Sequence, residues 1–556
     1  MRYEWIIIFI IVTIGLLSAI YLYYRDTLSL IYYNDSISHL VRSRELVDSL
    51  NPGLKQLGTA WLPMPHIMLL PFSLVDVLFR TGFAGLMVSL SSLAISSVFL
   101  YRIIRVHTGS TYISLAGALL YALNPNILYM GLISMTEIPF MLFFIVSAYY
   151  FQKYISRPLN FQDTDLDLKS TSSKLVYSSN QLTDLIKCTI FISLATLCRY
   201  EAWVIPIFLV TYLIITVIRG RDNIITTTIR SGKNFRNRYN VSKVYPLLVS
   251  LLSFTGIVLW MTYNAYYYGD PLEFQNAEFW SAAWHTKEFG SANTLYMNPF
   301  NVSSQYILTA LYFYGPILLI GAIMGYVSDI FLKKNKLKQL VRSSSLYLYL
   351  LLPALVVPLT LLIGNGELNT RHQWFNARFL VLLSPIAILL FSVFLSNLYQ
   401  RFSVKRFIIY GLIGSVFLSQ FVVASITVVT FADGEHNKSN ESRPFVTKTA
   451  EVLKSIYTTG KVMIITGSAQ KNYIMQAAGI PLKNFDKVYD ADIGKESFKE
   501  PWLQADYIII SKKPDASAKS ASKYWLDRQH TLDEYYDMAY ENKYYKVMIK
   551  KAAMKS

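Results

Sequence analysis

Three ionisable side chains in one short segment have types and spacing that could support chemistry. In "IYYNDSISHLVRSRELVDSL" (31–50), Asp35, His39 and Arg42 are four and three positions apart, so on a helix they share one face. A carboxylate can take a proton from a hydroxyl, and an arginine fork can hold phosphate oxygens. The alternatives are a solvated polar stripe on an interfacial helix, or an aspartate that only caps the helix.

Further acids and bases stand where other apolar runs begin or end. Glu137 lies in "LISMTEIPF", Arg199, Tyr200 and Glu201 lie in "LCRYEAW", and Arg378 lies in "NTRHQWFNARF". Ionisable groups near membrane depth are costly and are often functional, although each alone could be a snorkelling or capping residue. The remaining candidates for substrate contact are His66, Trp284 and His285.

The elements that must position these residues are membrane helices. The chain has 556 residues, of which 53% are hydrophobic and 16% are charged, and its mean hydropathy is +0.34. A soluble protein would carry roughly a quarter charged residues, and a helix crosses a bilayer with about 20 apolar residues. We therefore predict a polytopic all-α membrane protein with about eleven spans. The candidate spans are 5–24, 84–104, 112–130, 137–154, 186–200, 202–219, 246–267, 306–331, 345–364, 379–398 and 407–430.

The positive charge of the chain indicates its topology and not a nucleic-acid partner. The net charge is +17, and the basic residues gather in short loops such as 219–243, 332–342 and 401–406. Such loops are typical of the cytoplasmic side. With the N-terminus inside, the other face receives the outer loops and the C-terminal part. The outer loops are 26–83, 269–305 and 365–378.

The C-terminal part has a different composition from the rest. Residues 432–556 contain two short β-branched runs, "KVMIITG" (461–467) and "ADYIIIS" (505–511), with helical patterns around them. This alternation predicts a small extracytoplasmic α/β domain after a transmembrane domain that covers 1–431. Within the first outer loop, 61–79 is apolar but carries three prolines, which predicts short interfacial helices and not a further span.

Taken together, the polar residues of the outer face suit a reaction at a lipid-linked phosphate. Arginine presents a rigid fork to the oxygens of a departing phosphate, and a carboxylate takes the proton of the attacking hydroxyl. Tryptophan and tyrosine favour the interface, and their rings pack on the C–H surfaces of sugars. The residues therefore favour transfer of a sugar from a lipid phosphate.

The order of several segments resembles the GT-C superfamily of polytopic glycosyltransferases. The likeness is greatest to the branch with dolichyl-phosphate-mannose protein mannosyltransferases and aminoarabinose transferases, and it covers roughly residues 1–400. The segments that carry it are "YNDSISHL", "LGTAWLPMPHIMLLPF", "NPNILYMGLISMTEIPF", "LATLCRYEAW", "NAYYYGDPLEF" and "FNARFLVLLSPI".

The resemblance implies roles for four residues. Asp35 matches the first-loop carboxylate, a general base or metal-associated acid, and Glu137 matches a second acid, while Arg199 and Arg378 match phosphate-binding cations. The chain departs from the family where Phe379 replaces a tyrosine. It also departs where "AWL" (60–62) replaces a lysine-containing stretch, for which His66 or Lys55 are the available substitutes.

We therefore expect an inverting glycosyltransferase that moves a hexosyl or pentosyl group from a polyprenyl-phosphate donor to an acceptor hydroxyl. The acceptor is a protein, a lipid or a cell-surface polymer, and whether a divalent metal takes part is left open. One alternative is a non-catalytic transporter or lipid-binding scaffold, although no internal repeat supports a transporter. Another is an oligosaccharyltransferase-like enzyme, whose hallmark "WWD" does not occur.

Overall fold

A computed structural model describes most of the chain, with gaps at several loops. The described ranges are 2–157, 160–162, 174–176, 179–219, 244–276, 295–333, 336–362, 377–400, 404–438, 443–465, 470–488, 496–512 and 521–552.

The described residues before 439 are mostly helical, with one short antiparallel strand pair among them. That pair is β1 (Asn160–Gln162) and β2 (Lys174–Val176). The first helices are α1 (Arg2–Arg25), α2 (Asn34–Glu45), α3 (Met64–Ser73), α4 (Asp76–Thr81), α5 (Phe83–Thr108), α6 (Thr111–Ala122), α7 (Pro125–Met130), α8 (Glu137–Ser156), α9 (Ser179–Thr196) and α10 (Val204–Arg219). The others are α11 (Val244–Leu251), α12 (Thr255–Tyr268), α13 (Glu273–Asn276), α14 (Pro299–Tyr314), α15 (Pro316–Lys333), α16 (Leu337–Leu362), α17 (Ser384–Gln400), α18 (Arg406–Ile426) and α19 (Val429–Lys438).

The expected number of about eleven spans is not confirmed. Eight helical stretches in the described part are long and apolar enough to cross a membrane, and they correspond to eight of the predicted spans. The other three are 112–130, 186–200 and 202–219. The first is broken where Asn124 accepts hydrogen bonds from Asn126 and Ile127 and so caps a new helix. The last two meet in an irregular turn that ends α9 at residue 196.

The proline-rich stretch 61–79 forms short helices, as its sequence predicts. α3 and α4 are ten and six residues long, and both are too short to cross a bilayer. Gly82 ends α4 with a left-handed conformation (φ 79°), which glycine adopts without strain, and α5 follows at once.

The centre of the bundle is formed by α5, α8 and the segment 377–400, which are mostly buried, whereas α1 and α18 are mostly exposed. α15 packs closely along α17, because a side chain on Gly325 would overlap the carbonyl oxygen of Leu390. Exposed apolar side chains such as Phe9 and Phe421 face outward from α1 and α18, as expected for helices that contact lipid.

The C-terminal part folds into a small α/β unit around one mixed sheet. The strand order is β4-β3-β5-β7-β6, with β4, β3 and β5 parallel and the last two antiparallel. The strands are β3 (Val462–Ile465), β4 (Phe485–Val488), β5 (Tyr507–Ser511), β6 (Tyr536–Glu541) and β7 (Tyr545–Lys550). The helices are α20 (Arg443–Ile456), α21 (Gln470–Ala477), α22 (Glu496–Lys499), α23 (Ala521–Leu526) and α24 (Gln529–Tyr535). The predicted α/β character is confirmed.

The α/β unit is packed against the first outer loop. Alternate residues of its strands face opposite sides, and one side shares a hydrophobic core with α2, α3, α4 and the start of α5. The Tyr473 hydroxyl donates to the Ile31 carbonyl at 2.6 Å, and Asn472 donates to Ser38 at 2.8 Å. The unit therefore contacts the segment that carries Asp35.

Candidate active site

Arg378 lies at the centre of a cluster of charged groups, between carboxylates from distant parts of the chain. Its Nη1 is 2.8 Å from Asp35 Oδ2, and its Nε is 3.6 Å from Glu137 Oε1. The Asp35 side chain keeps 37% of its surface exposed, whereas the Glu137 side chain keeps 1%. Asp35 therefore lies at the open side of the cluster, and Glu137 lies at its buried side.

Arg199 is the second cation, and two carboxylates occupy most of its donors. Its Nη1 donates to Glu137 Oε1 at 2.7 Å and to Thr136 Oγ1 at 2.9 Å. Its Nε and Nη2 donate to the two oxygens of Glu201 at 3.2 and 2.6 Å. A guanidinium has five N–H donors, so four of those of Arg199 are engaged. Arg199 thus holds the two glutamates in fixed positions.

The cluster is one continuous series of ion pairs, and it unites five residues that the sequence identified as candidates. Three carboxylates face two guanidiniums, which leaves one negative charge in excess when all five are ionised. Such partly buried pairs are screened less by salt than surface pairs are. In order, the series is Asp35, Arg378, Glu137, Arg199 and Glu201.

Two of the acids stand at the starts of helices. Asp35 is the second residue of α2, and Glu137 is the first residue of α8, where the helix dipole favours a carboxylate. Within the described ranges, no backbone N–H donates to the Asp35 side chain, and its partner is Arg378. The capping alternative for Asp35 therefore lacks the hydrogen bond that would define it.

Contacts between loops bring these helix starts together. The hydroxyls of Ser36 and Ser134 are 2.7 Å apart, and Ser134 also donates to the Ser36 carbonyl at 2.9 Å. The segment of Arg378 is anchored separately, because the Ala377 N–H donates to Asp433 at 3.1 Å. Asp433 lies in α19, so the last membrane helices also help to place the arginine.

Aromatic rings cover both arginines. The ring of Phe379 lies 4.9 Å from the Arg199 guanidinium and 5.1 Å from that of Arg378, and Tyr33 lies 5.7 Å from the latter. Cation–π contacts of this kind stabilise a guanidinium without using its N–H donors. Phe379, at which the sequence departs from the family pattern, therefore separates and supports the two cations.

His39 and His66 form a buried pair beside the cluster. His39 Nδ1 and His66 Nε2 are 2.9 Å apart, and His66 Nδ1 lies 3.2 Å from the Leu62 carbonyl. Burial, and then the positive charges of Arg378 and Arg42, lower the pKa of His39 well below its usual value. Burial and the neighbouring His39 do the same to the pKa of His66. Both imidazoles are therefore neutral at neutral pH.

Arg42 and Tyr200 support loops and do not join the ion-pair series. Arg42 Nη1 donates to the Leu57 carbonyl at 2.5 Å, and its guanidinium lies 5.2 Å from the ring of Trp61. The Tyr200 hydroxyl accepts from Trp260 at 3.1 Å and donates to the Ala60 carbonyl at 3.3 Å. Both side chains therefore hold the loop 57–61 in place.

Two predicted contact residues, Trp284 and His285, lie outside the described residues. Sequence reasoning missed three supporting residues, namely Tyr33, Thr136 and Asp433, and it named Phe379 only as a departure from the family pattern. Tyr33 and Thr136 directly precede helix starts that carry an acid, which was an available signal. Asp433 had none, because its partner is 56 positions away.

Metal binding has no candidate group of ligands in the described ranges. Among the residues that the structure describes, no three His, Cys, Asp or Glu side chains are arranged to hold an ion.

Known proteins resemble this chain in structure and not in sequence. No family model and no curated protein sequence matches it. ArnT from Cupriavidus metallidurans in the apo state has a TM-score of 0.53 and 12% identity, and the alignment covers 98% of both chains. ArnT bound to undecaprenyl phosphate has a TM-score of 0.52 and 12% identity, with 98% of this chain and 99% of that chain covered.

A third structure, the apo oligosaccharyltransferase of Archaeoglobus fulgidus, has a TM-score of 0.48 and 11% identity, with 91% of this chain and 69% of that chain covered. The resemblance to GT-C proteins that the sequence predicts is confirmed at the level of the fold. The chain is a multi-pass membrane protein with the fold of ArnT.

Proposed function

We propose that the chain is a membrane glycosyltransferase that moves a sugar from a polyprenyl-phosphate donor to an acceptor hydroxyl at the outer face of the membrane. The fold is that of ArnT, for which a structure bound to undecaprenyl phosphate is known. The ion-pair cluster lies at the starts of α2 and α8, beside loops that the sequence predicts to be outer, and a lipid-linked phosphate at the membrane surface would meet such a position. The proposed acceptor is a hydroxyl of a protein, a lipid or a cell-surface polymer.

The observation that carries this proposal is the contact between Arg378 and Asp35. Arg378 has a donor to spare, because among the described residues its buried Nε has no hydrogen-bond partner and lies 3.6 Å from Glu137 Oε1. The exposed carboxylate of Asp35 is attached to the same guanidinium at 2.8 Å. A phosphate on the free side of Arg378 would therefore place the adjoining sugar carbon near a base.

The proposed reaction is a single in-line displacement. The acceptor oxygen attacks the anomeric carbon, its proton passes to Asp35, and the bond from that carbon to the phosphate oxygen breaks. The polyprenyl phosphate leaves with one more negative charge, which Arg378 stabilises through charge-assisted hydrogen bonds. Attack from the face opposite the leaving group inverts the anomeric configuration.

The two arginines have different proposed roles. Arg199 holds Glu137 and Glu201 with four of its five donors, so it is a positioning residue more than a phosphate ligand. Glu137 lies beside both cations and keeps Arg378 in place as well as serving as a second acid of the site. His39 and His66 are buried and neutral, so their proposed part is to shape the wall of the site.

The test is sugar transfer by the purified full chain in lipid vesicles. The donors are polyprenyl-phosphate monosaccharides, tried one at a time, and release of polyprenyl phosphate is the readout. Asp35→Asn keeps the volume of the side chain but cannot accept the proton, so we expect a folded protein with turnover reduced by about a hundredfold or more. Arg378→Ala should weaken donor binding.

Asp76→Asn is the matched control. Asp76 lies in the same outer loop and pairs with Arg44, but its side chain is 61% exposed and lies outside the cluster. It should retain full turnover. A folded Asp35→Asn protein with wild-type turnover would remove the base role, and Glu137 would be the next acid to test. Failure of every donor with the wild-type chain would favour a non-catalytic lipid-binding scaffold.

A further inference from the structure

Two cations beside the first helix of the site have no acidic partner, and the reaction proposed above uses neither of them. Arg42 is in the last turn of α2, seven positions after Asp35 and about 10 Å from it along the helix axis. Lys55 lies in the short helical turn Leu54–Leu57 that follows α2. In the part of the chain that the structure describes, neither cation forms an ion pair with an Asp or a Glu.

Arg42 keeps most of its N–H donors open. Its Nη1 donates to the Leu57 carbonyl at 2.5 Å, and within the described ranges its Nε and Nη2 have no hydrogen-bond partner. The side chain is half-buried, and both of these nitrogens remain accessible to solvent. Lys55 is exposed, and its Nζ likewise has no hydrogen-bond partner among the described residues. A guanidinium that is partly desolvated and has no counter-charge favours an anion as its partner.

Aromatic rings lie against both cations. The ring of Trp61 lies 5.2 Å from the Arg42 guanidinium, and the ring of Tyr268 lies 5.9 Å from Lys55 Nζ. Trp61 and Tyr268 are only half-buried, and the Trp61 indole N–H has no hydrogen-bond partner in the described part of the chain. Such rings pack on the C–H surfaces of sugars, and a free indole N–H can donate to a sugar hydroxyl. Cations and half-buried rings together suit a sugar that carries an acid.

Hydrogen bonds from α12 hold this surface in place. Tyr263 and Tyr268, at the end of α12, donate to the carbonyls of Leu54 and Lys55 at 3.1 and 3.3 Å. Glu273 in α13 lies near Tyr268, but among the described residues it pairs with neither cation. The surface is therefore fixed between two helices and keeps its positive charge. This Arg42–Lys55 patch consists of Arg42, Lys55, Trp61, Tyr263 and Tyr268.

The patch lies along α2 from the proposed base. Asp35 and Arg42 share one face of α2. His39 lies between them, and its ring is 4.3 Å from that of Trp61. In the proposed reaction the acceptor hydroxyl gives its proton to Asp35, whereas Arg378 binds the donor phosphate. An acceptor that extends along α2 from its reacting hydroxyl therefore reaches Arg42 after about 10 Å.

We propose that the Arg42–Lys55 patch binds the acceptor of the transfer reaction, and that this acceptor is an acidic saccharide, a sugar chain with carboxylate groups. Arg42 donates to one carboxylate through its free Nε and Nη2, Lys55 attracts a second, and the rings pack on the sugar faces. Each carboxylate carries one negative charge, so two separate cations suit a chain of such groups. The acceptor role rests on the proposed function, whereas binding of the saccharide is measured without a donor.

The test measures the thermal unfolding midpoint of the full chain in detergent at constant ionic strength. The ligands are tetragalacturonate, maltotetraose as a neutral sugar, tetraglutamate as an acid without sugar, and short-chain phosphatidylglycerol as an anionic lipid. We expect a saturable rise with tetragalacturonate and a much smaller one with each of the others. No response to tetragalacturonate, or an equal response to maltotetraose, would overturn the proposal. An equal response to tetraglutamate or to phosphatidylglycerol would also overturn it, and would identify an acidic peptide or a lipid headgroup as the ligand.

Variants locate the binding. Arg42→Gln should weaken the apparent affinity for tetragalacturonate by about tenfold, the loss expected for one charge-assisted hydrogen bond. Lys55→Gln should weaken it by about threefold, because an exposed charge contributes less, and this exposed position tolerates the change without loss of folding. Wild-type affinity in both variants contradicts the site.

Arg528→Gln is the matched control. Arg528 is also a cation against an aromatic ring, 4.0 Å from that of Tyr524, and it also donates to a backbone carbonyl, that of Tyr524 at 3.3 Å. It belongs to the α/β unit and lies outside the patch, so its variant should bind tetragalacturonate like the wild-type chain. A loss equal to that of Arg42→Gln would show that the binding is not at the patch.

Turnover separates this inference from the proposed function. In the transfer assay, tetragalacturonate should raise the release of polyprenyl phosphate above that seen with maltotetraose. Equal release with the two sugars, in a chain that does turn over a donor, would refute the acceptor role alone. Selective binding of tetragalacturonate by a chain that turns over no donor would refute the proposed function and leave the saccharide site.

Discussion

The two arginines of the ion-pair cluster lie in different surroundings. Replacing them should therefore lower the free energy of unfolding by different amounts. Arg199 is the partner of two largely buried carboxylates, whereas Arg378 pairs with the exposed Asp35 and lies farther from Glu137. Removing one partner of a buried ion pair costs about 3–5 kcal/mol, because the other charge is left without compensation. The proposed function therefore makes Arg199 a structural residue and Arg378 a ligand-binding one.

Arg199→Ala should lower the unfolding midpoint in detergent far more than Arg378→Ala does. Arg199→Lys should lie between wild type and Arg199→Ala, because lysine keeps the charge but not the two-point contact with Glu201. The midpoint is followed by tryptophan fluorescence or by loss of monodisperse protein on heating. If both alanine variants melt at the same temperature, the division of roles between the arginines is wrong.

The buried histidine pair predicts a dependence of stability on pH. The pKa values of His39 and His66 are lowered in the folded chain, chiefly by burial, so the unfolded chain binds more protons at acid pH. Stability is present above the unfolded value of about 6.5 and is lost as the pH falls below it, by up to about 1.4 kcal/mol per pH unit for each histidine. The thermal unfolding midpoint should therefore be lower at pH 5.5 than at pH 7.5.

A double variant, His39→Asn with His66→Gln, should remove much of the decrease in unfolding midpoint between pH 7.5 and pH 5.5. The part of the decrease that comes from other titrating groups should remain. The comparison is the difference in midpoint between the two pH values, not the midpoint itself, since the variant also loses a buried hydrogen bond. An unchanged pH dependence in the double variant would show that other groups control it.

At the scale of elements, the α/β unit holds the segment from which α2 begins. The Tyr473 hydroxyl in α21 lies 2.6 Å from the Ile31 carbonyl and 3.1 Å from the Tyr32 carbonyl. Arg443 in α20 stacks on the ring of Tyr473 at 3.3 Å and donates to the same two carbonyls at 3.4 Å. These carbonyls lie four and three positions before Asp35. The α/β unit therefore helps to fix the position of the Asp35 carboxylate.

Tyr473→Phe should therefore lower turnover several-fold in the transfer assay while costing only about 1 kcal/mol of stability. Tyr536→Phe is the control. The Tyr536 hydroxyl also donates to a backbone carbonyl, that of Ala505 at 2.8 Å, but both residues belong to the α/β unit. It should cost a similar stability and leave turnover unchanged. Equal turnover in the two variants would mean that the α/β unit does not position α2.

For the whole molecule, the contact between α21 and residues 31 and 32 limits how many helices can cross the membrane. If α1 crosses the membrane, residues 31 and 32 lie on the side opposite the N-terminus, and the α/β unit lies there with them. The N-terminus and the α/β unit then lie on opposite sides, so the total number of membrane crossings is odd. The eight long apolar helices of the described part make an even number, so if all of them cross, one shorter helix must cross as well. The apolar helices Thr111–Ala122 and Tyr200–Thr216 are available for this.

We accordingly expect the N-terminus in the cytoplasm and the C-terminal unit outside, as the basic loops also predict. A reporter that is active only outside the cytoplasmic membrane should be active when fused after Ser556 and inactive when fused after Arg219. Activity with the opposite pattern would reverse the sidedness of the site and of the basic loops together.

The sequence by itself determined the class of fold and the residue types that form the ion-pair cluster. Long apolar runs must bury their backbone polar groups in helices within a bilayer, so their lengths and hydropathy predict the bundle directly. The alternation of β-branched runs with helical patterns predicted the C-terminal unit in the same local way. The identity of Asp35, Glu137, Arg199, Glu201 and Arg378 as candidates also came from residue type and position beside apolar runs.

Only the tertiary structure decided which of those residues pair with each other and how deeply each is buried. The pairing of Arg378 with Asp35 joins positions more than 340 residues apart, and no local pattern records which carboxylate an arginine will meet. The same holds for the burial of His39 against His66, which lie on different helices. Helix formation depends on near neighbours in the chain, whereas ion pairing and burial depend on which helices pack together, and that packing exists only in the folded molecule.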